Sequence, residues 1–150
     1  MQFDETVMRR ALALASMAAD RGEVPVGAVV TDALGEVVGE AHNRREELAD
    51  PTAHAEVLAL RAAARSVGNW RLEGHRLYVT LEPCAMCAGA IVLARVSALV
   101  FGTRDPRGGM AGSLENLVAD PRLNHRVEVI EGLLREESAT LLSGFFRARR

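Results

Sequence analysis

The sequence predicts an α/β protein, a three-layer α/β/α sandwich with helices on both faces of one sheet. Two observations lead there. Five short apolar segments of strand length alternate with segments of helical periodicity. The 150 residues suit one domain spanning residues 1–150, large enough to bury a core without disulfide or metal staples.

Taken in order, Asp4 to Ala19 reads as a helix, with Val7, Ala11, Leu14, Ala15 and Ala18 on one stripe. Val26 to Thr31 is an apolar strand. Asp32 to Gly35 turns the chain, and Glu36 to Ala41 returns as the second arm of a hairpin. His42 to Asp50 is a polar loop. Asp50-Pro51 is a helix-start signal, with Asp as cap and Pro in the first turn, leading into a helix over Ala53 to Val67 stopped by Gly68. Arg76 to Leu81 is a strand, and Pro83 opens a helix over about Cys84 to Leu93. Ala98 to Phe101 is a strand ending at Gly102, and Thr103 to Gly112 a surface loop. Ser113 caps a short helix reaching about Ala119. Val127 to Ile130 is the last strand, and Leu133 to Arg147 the last helix.

Composition narrows the chemistry. All 18 cationic residues are arginine, so no lysine is available as a Schiff-base, pyridoxal or phosphate-loop group. The net charge of -2 excludes a generally basic nucleic-acid coat; phosphate contacts would need a local arginine cluster. Two cysteines three residues apart cannot make a disulfide framework. Arg9-Arg10 before an alanine-rich stretch imitates a signal peptide, but Asp4 and Glu5 sit in its positive region and the apolar residues follow a helical stripe. No membrane span and a cytoplasmic location are expected.

The chemistry concentrates in His54-Ala55-Glu56 and Pro83-Cys84-Ala85-Met86-Cys87. Cysteines at i and i+3 share one helix face, and the helix start favours thiolates. Two thiolates and one imidazole give three protein ligands to a zinc ion and leave a fourth position open, as catalytic sites do. Two thiolates with an imidazole favour zinc among divalent ions. His54 and Glu56 point about 200° apart on a regular helix, so they converge only off its end. His54 therefore reads as a ligand, and Glu56 as the carboxylate that moves a proton between water and a substrate nitrogen. A Cys-x-x-Cys pair alone also suits a redox site or an inert buried pair. The joint occurrence with His54 and Glu56 favours the metal. His42, His75 and His125 read as isolated structural residues.

His-x-Glu followed by Pro-Cys-x-x-Cys is the established signature of zinc deaminases. Around it, Glu23 to Val29, Asn43-Arg44, Asp50 to Glu56, Tyr78 to Gly89, Phe101 to Asp105, Ala111 to Ser113, Asn124 to Val127 and Phe145 to Arg147 resemble the bacterial tRNA-specific adenosine deaminases. These belong to the zinc-dependent cytidine and deoxycytidylate deaminase superfamily. The resemblance covers nearly the whole chain. It implies a cytidine-deaminase-like fold with a mixed sheet of about five strands, one Zn2+ per subunit, and a homodimer whose RNA site is shared between subunits. The implied reaction converts the wobble adenosine of a tRNA anticodon stem-loop to inosine: water adds at C6, and Glu56 protonates N1 and then the departing amine. By motif match, His54, Cys84 and Cys87 hold zinc. Asn43 bonds the purine edge, Val24 lines the pocket, and Asp105 touches a flanking nucleotide. Phe145, Phe146 and Arg147 meet the anticodon loop. Arg104, Arg107, Arg147, Arg149 and Arg150 could add local positive charge.

Two rivals remain at this point. A deaminase of a free base or nucleoside, of guanine or cytosine type, shares every zinc residue but needs neither the Phe-Phe-Arg segment nor the Arg104-Asp105 loop. A non-catalytic zinc or thiol-redox module needs no Glu56.

Overall fold

The computed structural model describes residues 3–149. Its elements run α1 (Glu5–Asp20), β1 (Gly27–Thr31), β2 (Val37–His42), α2 (Arg45–Leu48), α3 (Ala55–Val67), β3 (Arg76–Leu81), α4 (Ala85–Leu93), β4 (Ala98–Thr103), a 3-10 turn (Leu117–Ala119), β5 (Glu128–Glu131) and α5 (Arg135–Ala148). The strand order is β2-β1-β3-β4-β5. β1 runs antiparallel to both β2 and β3, while β3, β4 and β5 are parallel, so the sheet is mixed as expected.

Alternation along the strands builds two cores. Ala28 and Val30 of β1, Leu77 and Val79 of β3, and Leu99 and Phe101 of β4 meet α3 and α4. Val29, Tyr78 and Val100, their neighbours on the opposite face, meet α1 and the start of α5. Period-two alternation in the strands thus yields three layers directly. On β1 the approach of α1 is so close that a Cβ at Gly27 would lie 1.9 Å from the Ala11 carbonyl oxygen; only glycine fits.

Three local readings are corrected. α3 begins at Ala55 with His54 as its N-cap, not at Ala53. Asp50 caps a turn instead, accepting from the amide (2.8 Å) and hydroxyl (2.7 Å) of Thr52. The polar stretch expected as loop contains α2, whose first amides are capped from a distance: buried Glu23 accepts from Glu46 N and Glu47 N at 3.1 and 2.9 Å. Ser113 caps no helix, because its amide and hydroxyl both donate to Glu82, and only Leu117–Ala119 coil as a 3-10 turn.

The topology gathers the chemistry at one edge of the sheet. The carboxyl ends of parallel β3 and β4 lie beside the amino end of antiparallel β1, which pairs with the carboxyl end of β2 through Gly27 and His42. Open α/β sheets bind ligands at such an edge.

Candidate active site

Each reactive side chain stands at a helix start fed from that edge. Glu82-Pro83 leaves β3 and delivers Cys84 as the N-cap of α4, in extended conformation, with Cys87 in the first turn. Cys84 therefore precedes the helix rather than sitting inside its first turn. His54 occupies the matching N-cap of α3. Because its backbone is extended while Glu56 is already helical, the 200° divergence of a regular helix does not apply, and both side chains reach the same cavity.

His54 Nδ1 lies 3.6 Å from Cys84 Sγ and 3.5 Å from Cys87 Sγ, and the three donor atoms all fall within 4.8 Å of one another. A tetrahedral zinc with Zn–S near 2.3 Å and Zn–N near 2.0–2.1 Å has N···S edges of about 3.5 Å. The donor set thus fits zinc in both chemistry and spacing.

The charges agree. The Cys84 thiol is pulled down to about 3, chiefly by the hydrogen bond from Cys87 and then by His54. Cys87 is pushed up by Cys84 and by burial, and His54 is raised by its contact with Cys84. Cys84 thus leans toward the thiolate, while Cys87 and His54 are both shifted toward holding their protons. A divalent cation would compete with those protons, the ordinary coupling of metal binding to proton release. Glu56 is buried, and that burial raises its carboxyl to about 7. A group poised there can accept and return a proton at neutral pH.

His54, Glu56 and Cys84, with Cys87 buried behind them, face a cavity of about 130 Å³, whose lining also includes Val24, Asn43, Arg45, Leu81, Glu82 and Asp105. Its volume is below the ~300–1,000 Å³ of sites that engulf whole small molecules, and suits a single planar group with its attachments outside. Buried Asn43 ties the cavity walls together: its Nδ2 donates to Val24 O at 3.0 Å and its Oδ1 accepts from Ala55 N at 2.8 Å. One amide hydrogen and one lone pair remain for a ligand.

Two more groups that line this cavity escaped the sequence reading. Arg45 contributes from α2. Glu82 is 2% exposed; its Oε1 accepts from Asp105 N and Ser113 Oγ, and its Oε2 from Ala111 N and Ser113 N. Burial alone would raise this carboxyl, but the bonds from Ser113, Asp105 and Ala111 outweigh it and hold it below the ordinary value. A Cβ at Gly109 would fall 2.3 Å from the Glu82 carboxyl carbon, so glycine alone lets the loop close over it. The signal was present as a lone acidic residue between an apolar strand and Pro83-Cys84.

The remaining predicted contacts are spread wider. Asp105 reaches the cavity, while its Oδ1 accepts from Arg107 N and Gly108 N in its own turn. Phe145, Phe146 and Arg147 lie on the last turns of α5, outside the cavity lining. The two rings meet edge to face at 5.4 Å, Phe145 half-buried beneath the Arg149 guanidinium and Phe146 49% exposed. Arg149 passes next to Gly22, which places the end of α5 beside the segment leading to Val24. Arg104 is engaged by Glu131, and Arg150 lies outside the described residues.

Fold and donor set define a metal-dependent deaminase. The chain belongs to the MafB19-like deaminase family, whose model matches residues 3–150. A tRNA-specific adenosine deaminase of Bacillus subtilis is 51% identical over 150 residues, covering 100% of this chain and 92% of that protein. A solved structure from work on A-to-I editing by tRNA:A34 deaminases superposes with a TM-score of 0.89 at 44% identity, covering 93% of this chain and 100% of that one. A guanine deaminase from Nitrosomonas europaea shares the fold at a TM-score of 0.83 and 25% identity, covering 97% and 85%.

Proposed function

We propose that this chain deaminates the wobble adenosine of a tRNA anticodon stem-loop to inosine by hydrolysis. The observation that carries it is the meeting of His54, Cys84 and Cys87 beside buried Glu56 in a cavity sized for one base. Identity of 44–51% to tRNA enzymes over 93–100% of the chain, against 25% to the guanine deaminase of Nitrosomonas europaea and 38% over only 69% of the chain to that of Bacillus subtilis, favours the RNA substrate over a free base.

His54, Cys84 and Cys87 would hold the zinc, which when bound would supply the polarisation that makes water nucleophilic near neutral pH. Glu56 takes the proton from the attacking water and passes it to N1 of the purine, then takes the proton of the hydroxyl formed at C6 and gives it to the amine, which leaves as ammonia when the C6–N bond breaks and the C6 carbonyl forms. Asn43 offers its spare amide hydrogen and lone pair to the purine edge, and Val24 packs on the ring. Asp105 meets the flanking nucleotide. Phe145, Phe146 and Arg147 meet the anticodon loop, where unpaired bases make extrusion cheap.

The assembly is a homodimer working in the cytoplasm. α4, which Cys84 caps and Cys87 enters in its first turn, presents Met86 and Leu93 outward, Leu93 at 68% exposure. With Trp70, 58% exposed, and Val57 it forms an apolar face that a second copy covers. Among the described residues no helix is long and apolar enough to cross a membrane.

The test is incubation of zinc-loaded protein with an anticodon stem-loop bearing a wobble adenosine, beside free adenosine, cytidine and guanine. Inosine in the RNA alone is expected. Turnover of only a free base would transfer the assignment to the guanine or cytosine type.

A further inference from the structure

A second cavity, of about 500 Å³, opens at the edge of the sheet where β2 passes between α1 and α3. Its charged lining is Arg21, Glu40, His42, Arg44, Arg61 and Arg65. Glu40 is already engaged by Arg10 through two hydrogen bonds of 2.7 and 2.8 Å, and Arg44 pairs with Glu47. Arg21, Arg61 and Arg65 form no ion pair among the described residues; Arg21 and Arg61 act on Glu47 and Asp50 only at longer range. Three guanidinium groups that form no ion pair among the described residues thus share one concavity in a chain whose net charge is -2.

The lining is ordered at its centre. Arg21 Nη1 contacts His42 Nε2 at 3.2 Å, and His42 Nδ1 lies 2.8 Å from Asn43 O. A guanidinium only donates, so Nε2 accepts and Nδ1 carries the proton that bonds Asn43 O. His42 alone therefore anchors Arg21 at one cavity and the Asn43 backbone at the other.

The two cavities sit back to back along one stretch of chain. His42 and Arg44 line the basic one, and Asn43 and Arg45 line the catalytic one. Along α3, Arg61 and Arg65 follow Glu56 by about 7.5 and 13.5 Å of helical rise, on the flank of the helix turned away from it. Because His42 to Arg45 alternate between the two linings, the rim of this cleft adjoins the cavity that holds Glu56. Guanidinium groups match phosphate oxygens in fork geometry and stay charged at any working pH.

We propose that this cleft is a further substrate-contact surface, in which Arg21, Arg61 and Arg65 bind phosphodiester groups of the RNA flanking the inserted base. This rests on the RNA-editing reading above and extends it to residues that neither the motifs nor the resemblance singled out.

The experiment is fluorescence anisotropy of a labelled anticodon stem-loop across a salt series, with wild-type protein, the double variant Arg21→Gln/Arg65→Gln, and the charge-keeping Arg21→Lys/Arg65→Lys. Each phosphate contact on a single strand contributes about 0.7 to the slope of log affinity against log salt. The glutamine variant is expected to lose about 1.4 in slope and to bind roughly tenfold more weakly near 0.1 M salt. The lysine variant should keep the wild-type slope. Equal slopes and affinities for wild-type and glutamine proteins would overturn the proposal, as would loss of inorganic phosphate binding with RNA binding unchanged. Failure of the wild-type protein to make inosine in the stem-loop would instead bring down the function reading on which this rests.

Discussion

At the residue scale, position and environment assign separate tasks to the groups in the catalytic cavity. Glu56 is not among the three converging donor atoms, and its burial keeps it near neutral poise. Glu56→Ala is therefore expected to retain one zinc per chain while inosine formation falls by about 10²–10⁴, the usual worth of a positioned proton carrier. Metal analysis and a turnover assay on one sample check both halves, and full activity would remove Glu56 from its role. Cys87→Ser is expected to do the reverse, losing metal first, since serine offers no soft thiolate. Unchanged zinc content in that variant would contradict the donor set. The convergence of His54, Cys84 and Cys87 with Glu56 nearby was legible because their spacing is bound to chemistry. Glu82 was not, because its partners Asp105, Ala111 and Ser113 lie 23 to 31 residues away and follow no local pattern.

At the scale of elements, the site depends on how loops are tied to helix starts. Glu82 anchors the Asp105–Ser113 loop with oxygens that accept and never donate. Glu82→Gln sets an amide donor against existing donors in either orientation, so a loss of roughly 2–3 kcal/mol is expected at pH 7. The sign with pH follows from the lowered folded value. The carboxylate's contribution is complete above the ordinary value of 4.5 and is lost as pH falls through the lower folded value. Urea unfolding of wild type and variant should show the gap at pH 7 shrinking in acid, and a gap that widened in acid would contradict the assignment. Strands and long helices were legible here because alternation and the α1 stripe report burial directly. The start of α3 and the existence of α2 were not. Asp50 offers the same cap signature to a turn as to a helix, and α2 is capped by Glu23, 23 residues upstream.

At the scale of the whole molecule, a mildly acidic chain carries two surfaces out of keeping with its average. One is the arginine-lined cleft at the β2 edge. The other is the outward face of α4, apolar where a solvent-facing helix is normally polar. Because the metal-holding helix carries that face, a second copy bound there would border both active sites. Leu93→Glu is expected to convert a species of twice the 16.2 kDa chain mass into monomer while leaving the fold intact, since Leu93 is 68% exposed within one chain. Sedimentation equilibrium reads the difference, and equal masses for both proteins would rule out this face. The sequence pattern revealed the layer order but not these surfaces, because each is assembled from residues on different elements.

All of the proposed chemistry requires an ion gripped by one imidazole and two sulfurs with a corner left for solvent. X-ray absorption at the zinc edge of the loaded protein measures that directly. Two sulfurs near 2.3 Å and two lighter atoms near 2.0–2.1 Å, only one of them from imidazole, are expected. A shell with a single sulfur, or one closed by four protein donors, would contradict it.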